Sequence, residues 1–151
     1  MSGRRLLTPE DVLTFMRAGN ATFTVVSRIT GTRFTYRARK SEDGNCFFVS
    51  LLRGPDNGED YTYMGIMDGR RFRLTAKSKV TMEAPAYKAF LWTFNQVAIA
   101  GVLPESVEFW HEGRCGRCNR LLTVPKSIAS GIGPECARHV HRMPGQLALA
   151  V

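Results

Sequence analysis

The sequence predicts an α+β fold: an antiparallel sheet of about five strands covered by a helix, with a C-terminal zinc-binding lobe. Three observations predict it. From Ala21 to Thr75, apolar and polar residues alternate with a period of two, interrupted by Thr30-Gly31, Asp43-Gly44-Asn45 and Asp68-Gly69, the punctuation of hairpins. A later stretch opens at Ala84-Pro85 and carries Tyr87, Phe90, Leu91, Phe94, Val97 and Ala98 at spacings of three and four, which is helical. Beyond it, Cys115, Cys118 and Cys136 stand among Gly, Pro and Ser with His111 before them and His139 after. The chain therefore divides into a sheet-and-helix domain over 1–104, a zinc lobe packed on it over 105–142, and a tail over 143–151.

The first element is a short helix. Thr8 caps it, Pro9 suits its first turn, Glu10 and Asp11 meet the positive end of its dipole, and Gly19 stops it. Val12, Phe15 and Met16 fall on one face and pack inward. Next comes a hairpin. In its first strand Phe23 and Val25 alternate with Thr24 and Val26; in its second, Phe34, Tyr36 and Ala38 share one face, and Arg33, Thr35, Arg37 and Arg39 share the other. Cys46 to Leu52 is apolar enough for a central strand buried on both faces, with Cys46 a core thiol. Residues 54–60 form a solvated loop, since the Asp-x-Asp ladder and closing Glu of a calcium loop are missing. Tyr61 to Met67 is a fourth strand and Arg71 to Thr75 its hairpin partner, in which Tyr63 and Arg73 interleave aromatic and cationic character. The helix runs from Pro85 to about Ala100, Gly101 ends it, and Val107 and Phe109 lie on a strand leading into the zinc lobe.

At 151 residues and 44% hydrophobic, the chain is long enough for a real core. Its start lacks the apolar run of a signal peptide, and no stretch reaches the roughly 18 apolar residues of a spanning helix, so a cytoplasmic location without a membrane is expected. Cysteines grouped as ligands fit a reducing compartment better than a disulfide scaffold. The formal net charge is +8, and it is unevenly spread. Arg4, Arg5, Arg17, Arg28, Arg33, Arg37, Arg39 and Lys40 crowd the start, and Arg114, Arg117, Arg120, Lys126, Arg138 and Arg142 the end. Over residues 41–60, by contrast, Glu42, Asp43, Asp56, Glu59 and Asp60 stand against Arg53 alone. Such a field attracts nucleic-acid phosphates or an acidic protein surface.

Two thiolates on a tight turn, joined by a third and an imidazole, make the tetrahedral S/N set that Zn²⁺ prefers. A redox Cys-x-x-Cys belongs between a strand and a long helix, a context absent here. His139 follows Cys136 by three residues, one turn along a helix opened by Gly133-Pro134; His111 precedes Cys115 by four. Chemistry alone leaves the two histidines level as fourth ligand. Such a set is closed, and the His-x-Glu and Pro-Cys-x-x-Cys order of zinc deaminases is absent, so no catalytic constellation is expected.

The run HEGRCGRCNRLLTVPKSIASGIGPECA over 111–137 resembles the C-terminal signature of a family of unknown function widespread in phage and prophage genomes. TFTVVSRITGTRFTYRARK and LLRGPDNGEDYTYMGIM resemble the N-terminal part of the same proteins, so the resemblance spans roughly residues 20–137. It implies a zinc-binding phage accessory protein and favours His111 with Cys115, Cys118 and Cys136 as ligands. Asn119 departs from the Gly that commonly follows the knuckle, but Asn tolerates the same left-handed geometry.

The expected function is non-enzymatic binding of DNA or RNA. One candidate surface is the knuckle, with Arg114, Arg117 and Arg120 joined by Lys126 and Arg138; the competing one is the sheet face around Arg37, Arg39, Tyr63 and Arg73. The alternative is a protein-binding module that inhibits or redirects an acidic host defence or replication protein in the host cytoplasm.

Overall fold

The computed structural model describes residues 4–56, 59–68 and 71–140. Its strands are β1 (Arg5–Leu6), β2 (Asn20–Ser27), β3 (Arg33–Lys40), β4 (Phe47–Leu52), β5 (Tyr61–Asp68), β6 (Arg71–Arg73) and β7 (Val107–His111). The helices are α1 (Pro9–Met16), α2 (Pro85–Asn95), α3 (Pro125–Ser130) and α4 (Pro134–Val140), and α2 continues into a π-helical turn, Gln96–Ala100. All strands pair antiparallel in the order β1-β7-β2-β3-β4-β5-β6. Among the described residues, seven strands replace the expected five or so. β1 is too short to display a period, and β7, assigned from the sequence to the lobe beginning at residue 105, lies inside the sheet between β1 and β2.

Local chemistry sets the helix ends. The Thr8 hydroxyl accepts the Asp11 N–H at 3.1 Å and caps α1. Gly101 closes the π-helical turn in the left-handed region at φ 72°, a conformation that costs glycine little. The Asp68-Gly69 signal falls between paired strands β5 and β6, although Gly69 and Arg70 themselves lie outside the described residues. So do His141 and the expected tail over 143–151.

Alternation along each strand sends one set of side chains to the core. Phe23, Tyr36, Val49, Met64, Met67 and Phe109 face inward and are buried with Phe15 of α1 and Phe90 and Phe94 of α2. Rings pack closely there: Phe23 lies 4.7 Å from Phe109 and Tyr36 lies 5.0 Å from Phe90, centroid to centroid. Each fully buried aromatic of this kind contributes about 1.5–3 kcal/mol. The Tyr36 hydroxyl donates to the Ala86 carbonyl at 2.7 Å, tying β3 to the start of α2 without leaving a polar atom unpaired.

Two sequence expectations change here. β4 is buried on one face rather than both, with Phe48 outside at 43% exposure. Its alternation is masked in the sequence because Phe48 and Leu52 are apolar on the outer side too. Cys46 precedes β4 and is half-buried, so it is not a core thiol.

The opposite side of the sheet is not covered by α1 or α2. It carries Thr22 and Thr24 of β2, Arg33, Thr35, Arg37 and Arg39 of β3, Ser50 of β4, Tyr61 and Tyr63 of β5, and Trp110 of β7, all partly or fully exposed. Among the described residues, no helix is long and apolar enough to cross a membrane.

Candidate metal centre and adjoining basic cleft

The chain leaves the sheet at His111 and turns at Gly113, whose φ of 84° favours glycine. Leu122 N–H then donates to Gly113 C=O at 2.8 Å, and Cys115 N–H to Arg120 C=O at 2.8 Å, closing a narrow hairpin around Cys115-Gly116-Arg117-Cys118. Asn119 occupies the left-handed region at φ 65°, the geometry its short polar side chain tolerates. Pro125 starts α3, Gly131 ends it at φ 79°, and Pro134 starts α4, which returns Cys136 to the hairpin. The thiol sulfurs of Cys115, Cys118 and Cys136 lie within 4.8 Å of one another.

This donor set fits a metal ion. Thiolates about 2.3 Å from a tetrahedral zinc stand roughly 3.8 Å apart, so the observed grouping needs only a small contraction. N–H groups already point at the sulfurs: Gly133 and Arg117 donate to Cys115 Sγ at 3.3 and 3.4 Å, and the Arg117 guanidinium to Cys136 Sγ at 3.4 Å. Bonds of this kind orient ligands and spread thiolate charge. Burial opposes ionisation of Cys115, but the backbone donors of Gly133, Cys118 and Arg117 outweigh it and hold its pKa below the ordinary thiol value. Cys136 is shifted upward, by burial first and then by its neighbouring cysteines, with Arg117 working against the shift. A cation among the three relieves this crowding of sulfurs.

His111 stands apart from the three sulfurs. Its ring is buried, Nδ1 accepts the Gly113 N–H at 2.9 Å, and Nε2 pairs with the Ile128 carbonyl. With both nitrogens engaged by backbone, the ring is a neutral structural strut joining β7 to α3. Burial holds its pKa below the usual histidine value, aided by Arg4 and opposed by the Ile128 bond. The fourth-ligand expectation at His111 thus meets a ring whose two nitrogens already have backbone partners, and neither His111 nor His139 belongs to the three-sulfur group. His139, one turn after Cys136 on α4, is exposed and lines the same cavity of about 410 Å³ as all three cysteines. Replacing His139 with Ala is expected to weaken metal affinity while His111→Gln keeps one metal per chain at a lower melting temperature, as metal analysis and thermal melts of the two variants would show.

The lobe sits directly on α1. Asn20 N–H donates to Gly116 C=O at 2.7 Å, and a Cβ at Gly116 or Gly131 would stand 2.8 or 2.6 Å from the Phe15 ring. Glycine at these two positions lets the backbone approach the core that closely.

The same docking brings Arg114 of the hairpin beside Arg37 and Arg39 of β3. The three line one cleft of about 300 Å³ with Asn20, Thr22 and Glu112. Arg37 is held in place with its guanidinium carbon 4.1 Å from the Tyr61 ring centroid. Tyr61 stays a neutral phenol: burial first, then Glu112, pushes its pKa up to about 12 against the pull of Arg37.

Other expected contacts disperse. Arg117 serves Cys136, and Arg120 lines the cavity of the three cysteines. Lys126 and Arg138 are exposed on α3 and α4. Arg73 pairs with Asp68 at 3.7 Å on edge strand β6, and Tyr63 meets Thr75 through its hydroxyl at 3.0 Å and Phe48 through its ring. Asn20, Thr22 and Trp110 were missed by sequence reasoning, although their alternation with Ala21, Phe23 and Phe109 marks them as outward-facing.

Fold and site together define an α+β protein whose three cysteines can hold a metal ion. Residues 108–141, from β7 through α4, match the model of a family described as a family of unknown function (DUF6011). Comparisons with curated proteins and with solved structures give no match.

Proposed function

We propose that this is a non-enzymatic accessory protein of phage type that binds nucleic acid, its C-terminal lobe held by one zinc ion on Cys115, Cys118, Cys136 and His139. The observation that carries the reading is the convergence of Arg37, Arg39 and Arg114 on one cleft against the single acid Glu112. Guanidinium forks match phosphate oxygens in pairs, and here two are mounted on a sheet and the third on a hairpin that zinc would stiffen. Zinc is the assignment because thiolate-rich tetrahedral sets select it and their closed form leaves no open position for catalysis. The phage association and a site of action in the host cytoplasm rest on the resemblance of residues 20–137 and on thiols that a reducing compartment keeps available.

The test is a salt titration of binding to generic DNA and RNA. Replacing Arg37, Arg39 and Arg114 together by Ala is expected to weaken binding across all sequences and to flatten the dependence of log K on log salt by about 0.7–0.9 for each phosphate left without its arginine. An unchanged slope in the triple variant would show that the cleft does not hold phosphate.

A second reading, of a protein-binding module directed at an acidic host defence or replication protein, is favoured by exposed apolar residues on α2 and its continuation. Trp92 is 45% and Ile99 62% exposed. Trp is over-represented among residues that anchor interfaces. Replacing these two would then abolish partner binding, while the Arg37, Arg39 and Arg114 triple variant would not.

A further inference from the structure

The uncovered sheet face holds a second cavity, of about 450 Å³, beside the basic cleft. Its walls include Arg4, Thr24, Val26, Arg33 and Trp110. Glu112 borders both spaces, and Thr22 of the cleft and Thr24 of the cavity are successive outer-face residues of β2, so the two make one trough. Trp110 pairs across the ladder with Thr24, and Thr22 pairs with Arg37. With strands spaced about 4.8 Å apart and rising about 3.3 Å per residue, Trp110 and Arg37 stand roughly 12 Å apart along this trough.

Trp110 is pre-set for stacking. Its indole N–H donates to Glu108 Oε1 at 3.0 Å, which fixes the ring, and the other oxygen of Glu108 faces Arg5 at 3.9 Å and Arg28 at 3.5 Å. The acid nearest the ring is thus compensated, while Arg4 and Arg33 flank the ring's cavity and Arg37, Arg39 and Arg114 lie beyond it.

We infer that this trough takes single-stranded nucleic acid, with a base against Trp110 and neighbouring phosphates at Arg37, Arg39 and Arg114. The inference rests on the nucleic-acid reading and deepens it. A single strand presents unstacked base faces and phosphates together, which an open sheet bearing an aromatic and a row of arginines meets in one plane. A duplex buries its base faces in its own stack and offers Trp110 nothing to lie against.

The experiment uses the full chain carrying Trp92→Phe, which leaves Trp110 as the remaining tryptophan of the two in the sequence. It is titrated at low salt with a mixed-sequence single-stranded DNA, the corresponding RNA, and the DNA duplex, following tryptophan emission and the anisotropy of a labelled strand. Single strands are expected to quench Trp110 and to bind at least about ten-fold more tightly than the duplex. Trp110→Thr should weaken single-strand binding by roughly 5- to 100-fold, and Trp110→Phe should keep most of it. Duplex binding as tight as single-strand binding, or single-strand binding with unchanged Trp110 emission, would overturn the inference and leave the nucleic-acid reading standing. Absence of binding to all three would remove both. The emission arm keeps Trp110 intact and so does not depend on how its variants fold.

Discussion

Replacing Cys118 with Ser, or stripping the metal with a chelator, is expected to cost the protein its C-terminal lobe. The lobe has little apolar material of its own: it buries Leu122, Ile132 and the thiols Cys115 and Cys136 in the core, with Ile128 and Ala137 partly buried against it. A hairpin and two short helices of this kind cannot offset their ordering entropy by burial alone, whereas structural zinc contributes on the order of 10 kcal/mol. One zinc per chain is expected in wild type by metal analysis and none in Cys118→Ser, with lobe amides losing protection from hydrogen exchange. The core of β2 to β5 should stay protected, because Phe23, Tyr36 and Phe90 pack between the sheet and α2 rather than against the three cysteines. Cys46→Ser is the control and should keep its zinc, since Cys46 is outside the three-sulfur group. An unchanged melt and unchanged metal content in Cys118→Ser would defeat the assignment.

Phe15→Ala should have a large effect although it lies away from the three cysteines. Phe15 is fully buried, with its ring 6.4 Å from Phe23, 6.3 Å from Phe109 and 5.7 Å from His111. It also supports the backbone at Gly116 and Gly131. Deleting a buried phenyl ring costs about 3–5 kcal/mol, from the transfer energy of the ring and from the cavity that remains. Because this cavity would open between core and lobe, zinc affinity should fall together with stability, which urea unfolding and metal competition measure separately. A destabilisation below about 1 kcal/mol would mean that the lobe does not rest on α1 in this way.

What was legible in the sequence was local. Thr8 as a cap, the hairpin of β2 and β3, the span from Pro85 to Ala100 and the three cysteines all follow from periods and spacings within one segment. What was not legible depended on the placement of β7. Nothing near Val107 encodes that it pairs with β2, yet this pairing carries the chain past Thr22 and sets Arg114 beside Arg37 and Arg39. Two surfaces that compete in the sequence, the hairpin and the sheet face, become neighbours for that reason. His111 carries two signals at once. Its spacing to Cys115 matches a ligand, and it also continues the inward alternation of Val107 and Phe109, which holds because the strand persists to His111. The outward partner in the same alternation is Trp110, the residue on which the stacking inference stands.

The most direct test of nucleic-acid binding is the affinity of the zinc-loaded wild-type protein for generic single-stranded DNA and RNA, measured across a salt series. Phosphates held at Arg37, Arg39 and Arg114 predict a linear fall of log K with log salt, with a slope of about −0.7 for each phosphate neutralised on a single strand. No affinity at low salt, or an affinity that salt does not change, would contradict it.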